Sequence, residues 1–235
     1  MAGMTSPRFF ALVPAAGVGA RSGAGQPKQY VYIAGRPLLA HTLAALAAVP
    51  RLTQTLVVLS PTDDRFEAAV PACPAWVARV GGASRADSVL GGLAELRARG
   101  ALDDDWVLVH DAARCLLQPG WVDALIDACQ HDPVGGLLAQ PVADTLKAGD
   151  ADGRVSATLD RRDKWAAQTP QMFRLGLVER ALTAMGAAAT DEASAVEALG
   201  LAPRLVRASM ANFKVTWPED FALAEKLLAQ SSDRS

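Results

Sequence analysis

At 235 residues and 51% apolar side chains, the chain has enough hydrophobic material for one large α/β domain and is too apolar to stay disordered. Its net formal charge of −2 provides no global positive field for nucleic acid or an acidic membrane, so local Arg and Lys clusters must meet any anionic ligand. Cys73, Cys115 and Cys129 are odd in number and widely spaced, and His41, His110 and His131 are scattered. This argues against a disulfide framework or a protein-built metal cage, and for a reducing compartment.

Along the chain, short apolar runs alternate with longer amphipathic ones. Residues 8–13 (RFFALV) predict a buried strand; the apolar stretch 9–20 is broken by Pro14, Gly17 and Gly19, is too short to span a bilayer and lacks a secretory layout, so a cytoplasmic protein is expected. Residues 37–49 predict a helix with Pro in its first turn, 55–60 a strand, 63–70 a short helix and 76–80 a third strand. Residues 84–99 begin with Ser, end with Arg and are followed by Gly100, the start and stop signals of a helix. Strands at 106–110 and 135–141 flank a helix at 119–131. Runs that are apolar on both faces and alternate with helices predict a mainly parallel sheet covered by helices. Residues 142–168 break the rhythm: two short polar strands around a Gly/Asp turn predict a hairpin that lies on its own domain or reaches a second subunit. Helices at 174–185, 191–199 and 218–230 and a strand at 204–208 complete the reading, as one domain over 1–235.

Three segments leave strand ends with chemistry-bearing residues. Pro14 to Arg21 (PAAGVGAR), closing with Pro27-Lys28-Gln29-Tyr30, combines small residues that let backbone approach a ligand with two cations, Arg21 and Lys28. It lacks the Gly-Lys-Ser/Thr of a Walker loop. Its G-x-G-x-x-x-G spacing, with Ser60 ending the second strand, does not fit a dinucleotide loop. Gly81 to Ser88 (GGASRADS) follows the third strand; Gly82 and Ser88 are placed to contact a base or ribose, although a plain capped helix explains the pattern equally well. His110 to Arg114 (HDAAR) offers Asp111 to a hydroxyl or a hydrated cation and Arg114 to a phosphate, with a surface ion pair as the plainer alternative. Taken singly, Asp191 can simply begin a helix and Lys214 can be a solvated charge.

In chain order, PAAGVGAR, PKQY, GGASRADSV, VHDAAR, the DT of PVADTLK, LDR, TPQMF, TDEASA and FKVTWPED resemble the 2-C-methyl-D-erythritol 4-phosphate cytidylyltransferase family, from about Phe9 to Leu228. The resemblance implies a nucleotide-diphospho-sugar transferase-like α/β fold, a protruding β-arm over 142–168 used for dimerisation, and a homodimer with shared active sites. It implies transfer of the cytidylyl group of CTP to 2-C-methyl-D-erythritol 4-phosphate in non-mevalonate isoprenoid precursor synthesis. Mg²⁺ would be held mainly by CTP phosphates, and no protein-built metal site is expected. By the same resemblance Ala15, Ala16, Gly17, Gly82, Ser88, Asp111 and Ala112 bind CTP, and Arg21 and Lys28 stabilise the transition state. Arg161 and Lys214 position the attacking phosphate, and Arg114, Thr145, Arg161, Thr169, Thr190 and Lys214 surround the acceptor, with Thr145 and Arg161 serving the neighbouring subunit. Ala20, Ala83 and Cys115 depart from the family's frequent Arg, acidic residue and Pro, and Cys115 is expected to loosen the turn behind Arg114. With only a few polar residues after the last helix, no fused cyclase domain is expected. The alternatives are another polyol-phosphate acceptor such as ribitol 5-phosphate, or a non-catalytic nucleotide-binding module.

Overall fold

The computed structural model describes residues 7–17 and 26–232. Seven strands form the central sheet: β1 (Phe9–Pro14), β4 (Gln54–Val58), β5 (Trp76–Ala78), β6 (Trp106–Val109), β7 (Gly135–Pro141), β10 (Trp165–Arg174) and β11 (Arg204–Arg207). Their order is β11-β7-β10-β6-β1-β4-β5. The pairs β1–β4, β1–β6, β4–β5 and β7–β11 are parallel, whereas β10 runs antiparallel to both β6 and β7.

Alternation along the strands builds two cores. Phe10, Leu12, Leu56, Val58, Val107 and Val109 face α3 (Arg85–Ala98), α5 (Leu175–Met185) and α6 (Glu192–Glu197). Ala11, Val13, Val57 and Leu108 face α1 (Leu38–Ala47) and α4 (Pro119–Cys129). Both faces are therefore dry, which is why these strands read as continuous apolar runs. A third cluster seats α7 (Pro218–Ser232) through Ala224, against Leu38, Leu116 and Val215. The expected helix over 63–70 shortens to α2 (Phe66–Ala69), and Asp63 accepts from the Arg65 and Phe66 amides just ahead of it. A short antiparallel pair, β2 (Tyr32–Ile33) with β3 (Arg36–Pro37), leads into α1.

Strand β10 is the main departure from the sequence reading, which had no strand there. Pro170 and the polar Gln168, Thr169 and Gln171 hide a ten-residue strand in the middle of the sheet. The ladder to β7 shifts register between Ala167 and Gln171, around the cis Thr169–Pro170 bond, so the proline falls where the pairing is already interrupted. The strand starts at Trp165, so residues 165–168 of the expected arm belong to the central sheet.

Between β7 and β10 lies a separate hairpin, β8 (Leu146–Gly149) with β9 (Val155–Leu159). Its turn is closed by Asp150, whose carboxylate accepts from the amides of Asp152 and Arg154, and by Gly153 at φ +76°. Every residue of β9 is exposed, Val155 and Leu159 among them.

Candidate active site

The carboxyl ends of β1, β5 and β6 open into one cleft of about 550 Å³, lined by residues from the three segments that carry chemistry in the sequence. This is where an open α/β sheet places its ligand.

The loop after β1 is pinned before it reaches the cleft. The Ala15 amide donates to the Val58 carbonyl, and the Ala15 carbonyl accepts from the buried Gln29 side chain at 2.9 Å. Gln29 belongs to the short 3₁₀ turn Lys28–Tyr30, so the bond ties the glycine-rich loop to the turn that carries Lys28. Lys28 Nζ donates to the Val215 carbonyl at 2.7 Å, next to Lys214. Ala15, Ala16, Gly17 and Lys28 all line the cleft. Arg21 and Ala20 lie outside the described residues.

The loop after β5 touches the first. The Gly81 amide donates to the Leu59 carbonyl, and a Cβ on Gly81 would stand 2.2 Å from the Ala16 Cβ, so glycine alone allows this approach. Ser84 and Asp87 form a capping box on α3. Ser88 Oγ donates to the Ser84 carbonyl and accepts from the Gly82 amide at 3.1 Å, which folds the loop back over the helix start. The helix is thus capped as the plainer reading has it, and Gly82 and Ser88 still line the cleft.

After β6, Asp111 is buried and both its oxygens are engaged: Oδ1 accepts from Arg85 Nε at 3.0 Å and Oδ2 pairs with Lys214 Nζ at 2.9 Å. Burial acts to raise its pKa, but the Arg85 and Lys214 charges outweigh burial and hold the carboxyl well below the usual range. Lys214 is therefore not merely a solvated charge. Asp111, Ala112 and Lys214 line the same cleft. The Asp111 amide donates to Thr169 Oγ1, which lies 3.0 Å from His110 Nδ1. His110 Nε2 is 3.2 Å from the Arg114 carbonyl. Burial lowers the His110 pKa to about 4, so the imidazole is neutral at pH 7, donating from Nε2 and accepting the Thr169 hydroxyl at Nδ1. Its nitrogens are both committed, and it is not a base for the cleft.

The other expected residues lie elsewhere. Arg114 is buried and does not pair with Asp111 as a surface ion pair; its terminal nitrogens donate to the carbonyls of Asn212, at 2.7 Å, and Ala167. Cys115 is packed in the α7 cluster, so the turn behind Arg114 is held despite the missing proline. Thr169 is buried behind Asp111. Thr190 is exposed just before α6 and bonded to Ser194. Thr145 and Arg161 are exposed at the two ends of the β8–β9 hairpin, and Arg161 reaches the Ala143 carbonyl. Neither is among the described residues lining the cleft of its own chain.

Two residues had no assignment in the sequence reading. Arg85 forms a two-pronged pair with Glu192, at 2.6 and 3.0 Å, while its Nε holds Asp111. Glu192 is fully buried. Burial lowers the Arg85 pKa, but its two carboxylate partners outweigh burial and raise it overall, so the guanidinium stays charged. The partners lie 26 and 107 residues away in sequence, and no local pattern announces them.

Three cations, Lys28, Arg85 and Lys214, thus line one cleft walled by small residues, and two of them, Arg85 and Lys214, hold the Asp111 carboxylate. Such a site neutralises a polyphosphate. Asp111 is the one carboxylate among the described residues lining it, and no group of three or more His, Cys, Asp or Glu converges among the described residues. The donor set fits a hard cation carried on phosphate oxygens and reached by Asp111 through water.

Comparison with known proteins agrees with this geometry. The family model described as IspD, 2-C-methyl-D-erythritol 4-phosphate cytidylyltransferase, matches residues 9–230. A protein of that name from Laribacter hongkongensis is 56% identical over 94% of this chain and 96% of its own length. A bifunctional IspD/IspF enzyme of Albidiferax ferrireducens is 58% identical over 97% of this chain, which spans 54% of that longer protein. A crystal structure of 4-diphosphocytidyl-2C-methyl-D-erythritol synthase superposes with a TM-score of 0.84 at 40% identity, covering 94% of this chain and 99% of the other. The Thermus thermophilus cytidylyltransferase superposes with a TM-score of 0.77 at 33% identity, over 94% and 98%. With its motifs in order, a family model matching residues 9–230 and a 56% identical relative covered over 96% of its length, the chain belongs to the 2-C-methyl-D-erythritol 4-phosphate cytidylyltransferase family.

Proposed function

We propose that the chain transfers the cytidylyl group of CTP to 2-C-methyl-D-erythritol 4-phosphate, giving 4-diphosphocytidyl-2-C-methyl-D-erythritol and pyrophosphate. The observation that carries this is the single cleft where Lys28, on the first loop, and the Asp111–Lys214 pair, after β6, meet around Ala15–Gly17 and Gly82.

The acceptor's phosphate oxygen is already anionic near neutral pH. It forms a bond to the α-phosphorus of CTP as the bond to the β-phosphate oxygen breaks, and pyrophosphate leaves with the electron pair. No proton need be removed, which suits a site whose nearest histidine is neutral and locked. The barrier is bringing two anions together, so the residues act by positioning and charge neutralisation. Gly82 and Ser88 present backbone and hydroxyl to the base. Ala15, Ala16, Gly17 and Ala112 wall the nucleotide. Lys28 and Arg21 meet charge on the α-phosphate and the departing pyrophosphate. Carried in with CTP, Mg²⁺ would supply further charge neutralisation, and Asp111 would be the residue that helps hold it.

Lys214 holds the attacking phosphate from within the chain and Thr190 lies on the acceptor side, whereas Thr169 and Arg114, buried and bonded to His110 and to the Asn212 and Ala167 carbonyls, support that side from behind. Arg161 and Thr145 complete it from the β8–β9 arm of a second copy in a cytoplasmic homodimer, in which residues 142–164 reach out from a single nucleotidyltransferase domain. The exposure of all of β9 supports that use. The test is pyrophosphate release from CTP, ATP, GTP and UTP, each with 2-C-methyl-D-erythritol 4-phosphate and with ribitol 5-phosphate. The expected result is turnover with CTP and the methylerythritol acceptor. Preference for ribitol 5-phosphate, or no release with any pair, would refute the assignment.

A further inference from the structure

We infer that Arg85, gripped by Glu192, is a positioning residue that fixes the Asp111 carboxylate and through it the Lys214 ammonium. The inference deepens the cytidylyl-transfer reading and rests on it. Arg85 is the first residue of α3 and Glu192 the first of α6, so two helix starts meet across the rear of the cleft. Both Glu192 oxygens accept from the two terminal nitrogens of the guanidinium. A planar fork held this way has one orientation, unlike an ammonium on a flexible stem. Its third edge, Nε, then presents a fixed donor to Asp111 Oδ1, and Asp111 Oδ2 takes Lys214.

Glu192 is itself anchored. The next amide, Ala193, donates to the buried Gln171 side chain at 2.8 Å, and Gln171 Nε2 donates to Asp191, the α6 cap. The chain of groups therefore runs from strand β10 through Glu192, Arg85 and Asp111 to Lys214, with charges alternating in sign. Its working end is a lysine whose side chain is 41% exposed. Left to itself such a side chain samples many rotamers; tied to a buried, oriented carboxylate it keeps one position in the cleft.

The clamp can be separated from simple charge. Arg85→Met together with Glu192→Gln removes one positive and one negative group, so the local net charge is unchanged and no buried ion is left alone. Pyrophosphate release is measured with CTP and the methylerythritol acceptor, alongside the thermal midpoint. A folded paired variant is expected to lose kcat by a factor on the order of 10–10², with KM for CTP within about threefold of wild type. In an Asp111→Asn background the same pair of changes should lower kcat by no more than about twofold, because the route through Asp111 is already cut. Arg85→Lys, which keeps the charge and loses the fork, should lower kcat in the same way and carries the test if the paired variant does not fold. A folded variant of either kind with wild-type kcat would overturn the clamp, as would full additivity with Asp111→Asn, or a rise in KM for CTP at unchanged kcat. An inactive wild type would overturn the cytidylyl-transfer reading, and the clamp with it, a result distinct from an active wild type matched by its variants.

Discussion

Gly81→Ala tests whether contact between the first two loops shapes the nucleotide site. The new Cβ would lie 2.2 Å from the Ala16 Cβ and 2.7 Å from the Leu59 carbonyl oxygen, where ordinary contact begins near 3.4 Å. Leu59 is fully buried and cannot yield, so the Ala16 loop must move by roughly 1 Å. Overpacking of this kind costs about 1–3 kcal/mol of stability. A shift of that size at a positioning loop costs on the order of 10²-fold in rate. The expected variant is therefore folded, modestly destabilised and severely impaired in kcat/KM for CTP. Gly100→Ala is the control: its φ of +89° strains an alanine, yet a Cβ there meets nothing within 4 Å. It should lose about 1–2 kcal/mol from the unfavourable backbone conformation and keep its turnover. The assay is steady-state pyrophosphate release at varied CTP, with thermal unfolding of each protein. Wild-type kcat/KM in folded Gly81→Ala would refute the proposed role of the loop contact.

Two further outcomes follow from the site. Burial depresses the His110 pKa to about 4 in the folded chain, against 6.5 as its ordinary value, in the company of Asp111 and Arg114. Between those values the unfolded state binds the extra proton. Stability present above pH 6.5 is thus lost as pH falls towards 4, by about 3 kcal/mol from this residue. Denaturant titrations from pH 7 to 4 should show a slope that His110→Asn flattens, and an identical slope in both proteins would contradict the locked neutral imidazole. If Arg161 serves a neighbour, inactive Arg21→Ala mixed with inactive Arg161→Ala should regain activity, since a mixed dimer holds one intact site. No recovery despite demonstrated subunit exchange would argue against shared sites.

Much of this was legible because parallel strands buried on both faces leave unbroken apolar runs, as in FFALVP and WVLV. The cleft was legible for a related reason: Gly17, Gly82 and Asp111 follow strands whose ends the topology gathers at one edge. Strand β10 was not, because Pro170 falls in a register shift that only the paired structure reveals. Nor was the Glu192–Arg85–Asp111 chain. A glutamate at a helix start reads as a favourable, solvated charge, and its burial depends on a guanidinium from a distant helix. Arg114 illustrates the limit from the other side. An arginine after a strand suits a phosphate, yet its terminal nitrogens here hold the Asn212 and Ala167 carbonyls, and so tie the β6 loop to β10 and the segment before α7.

The most direct measurement is kcat for Lys28→Ala with CTP, Mg²⁺ and 2-C-methyl-D-erythritol 4-phosphate. The side chain donates to the Val215 carbonyl, and loss of that bond should cost about 1 kcal/mol of stability. Turnover should fall by a factor on the order of 10²–10³, because a cation meeting the developing charge is gone. Purified, folded Lys28→Ala that releases pyrophosphate at the wild-type rate would contradict charge neutralisation by the first loop as the source of catalysis.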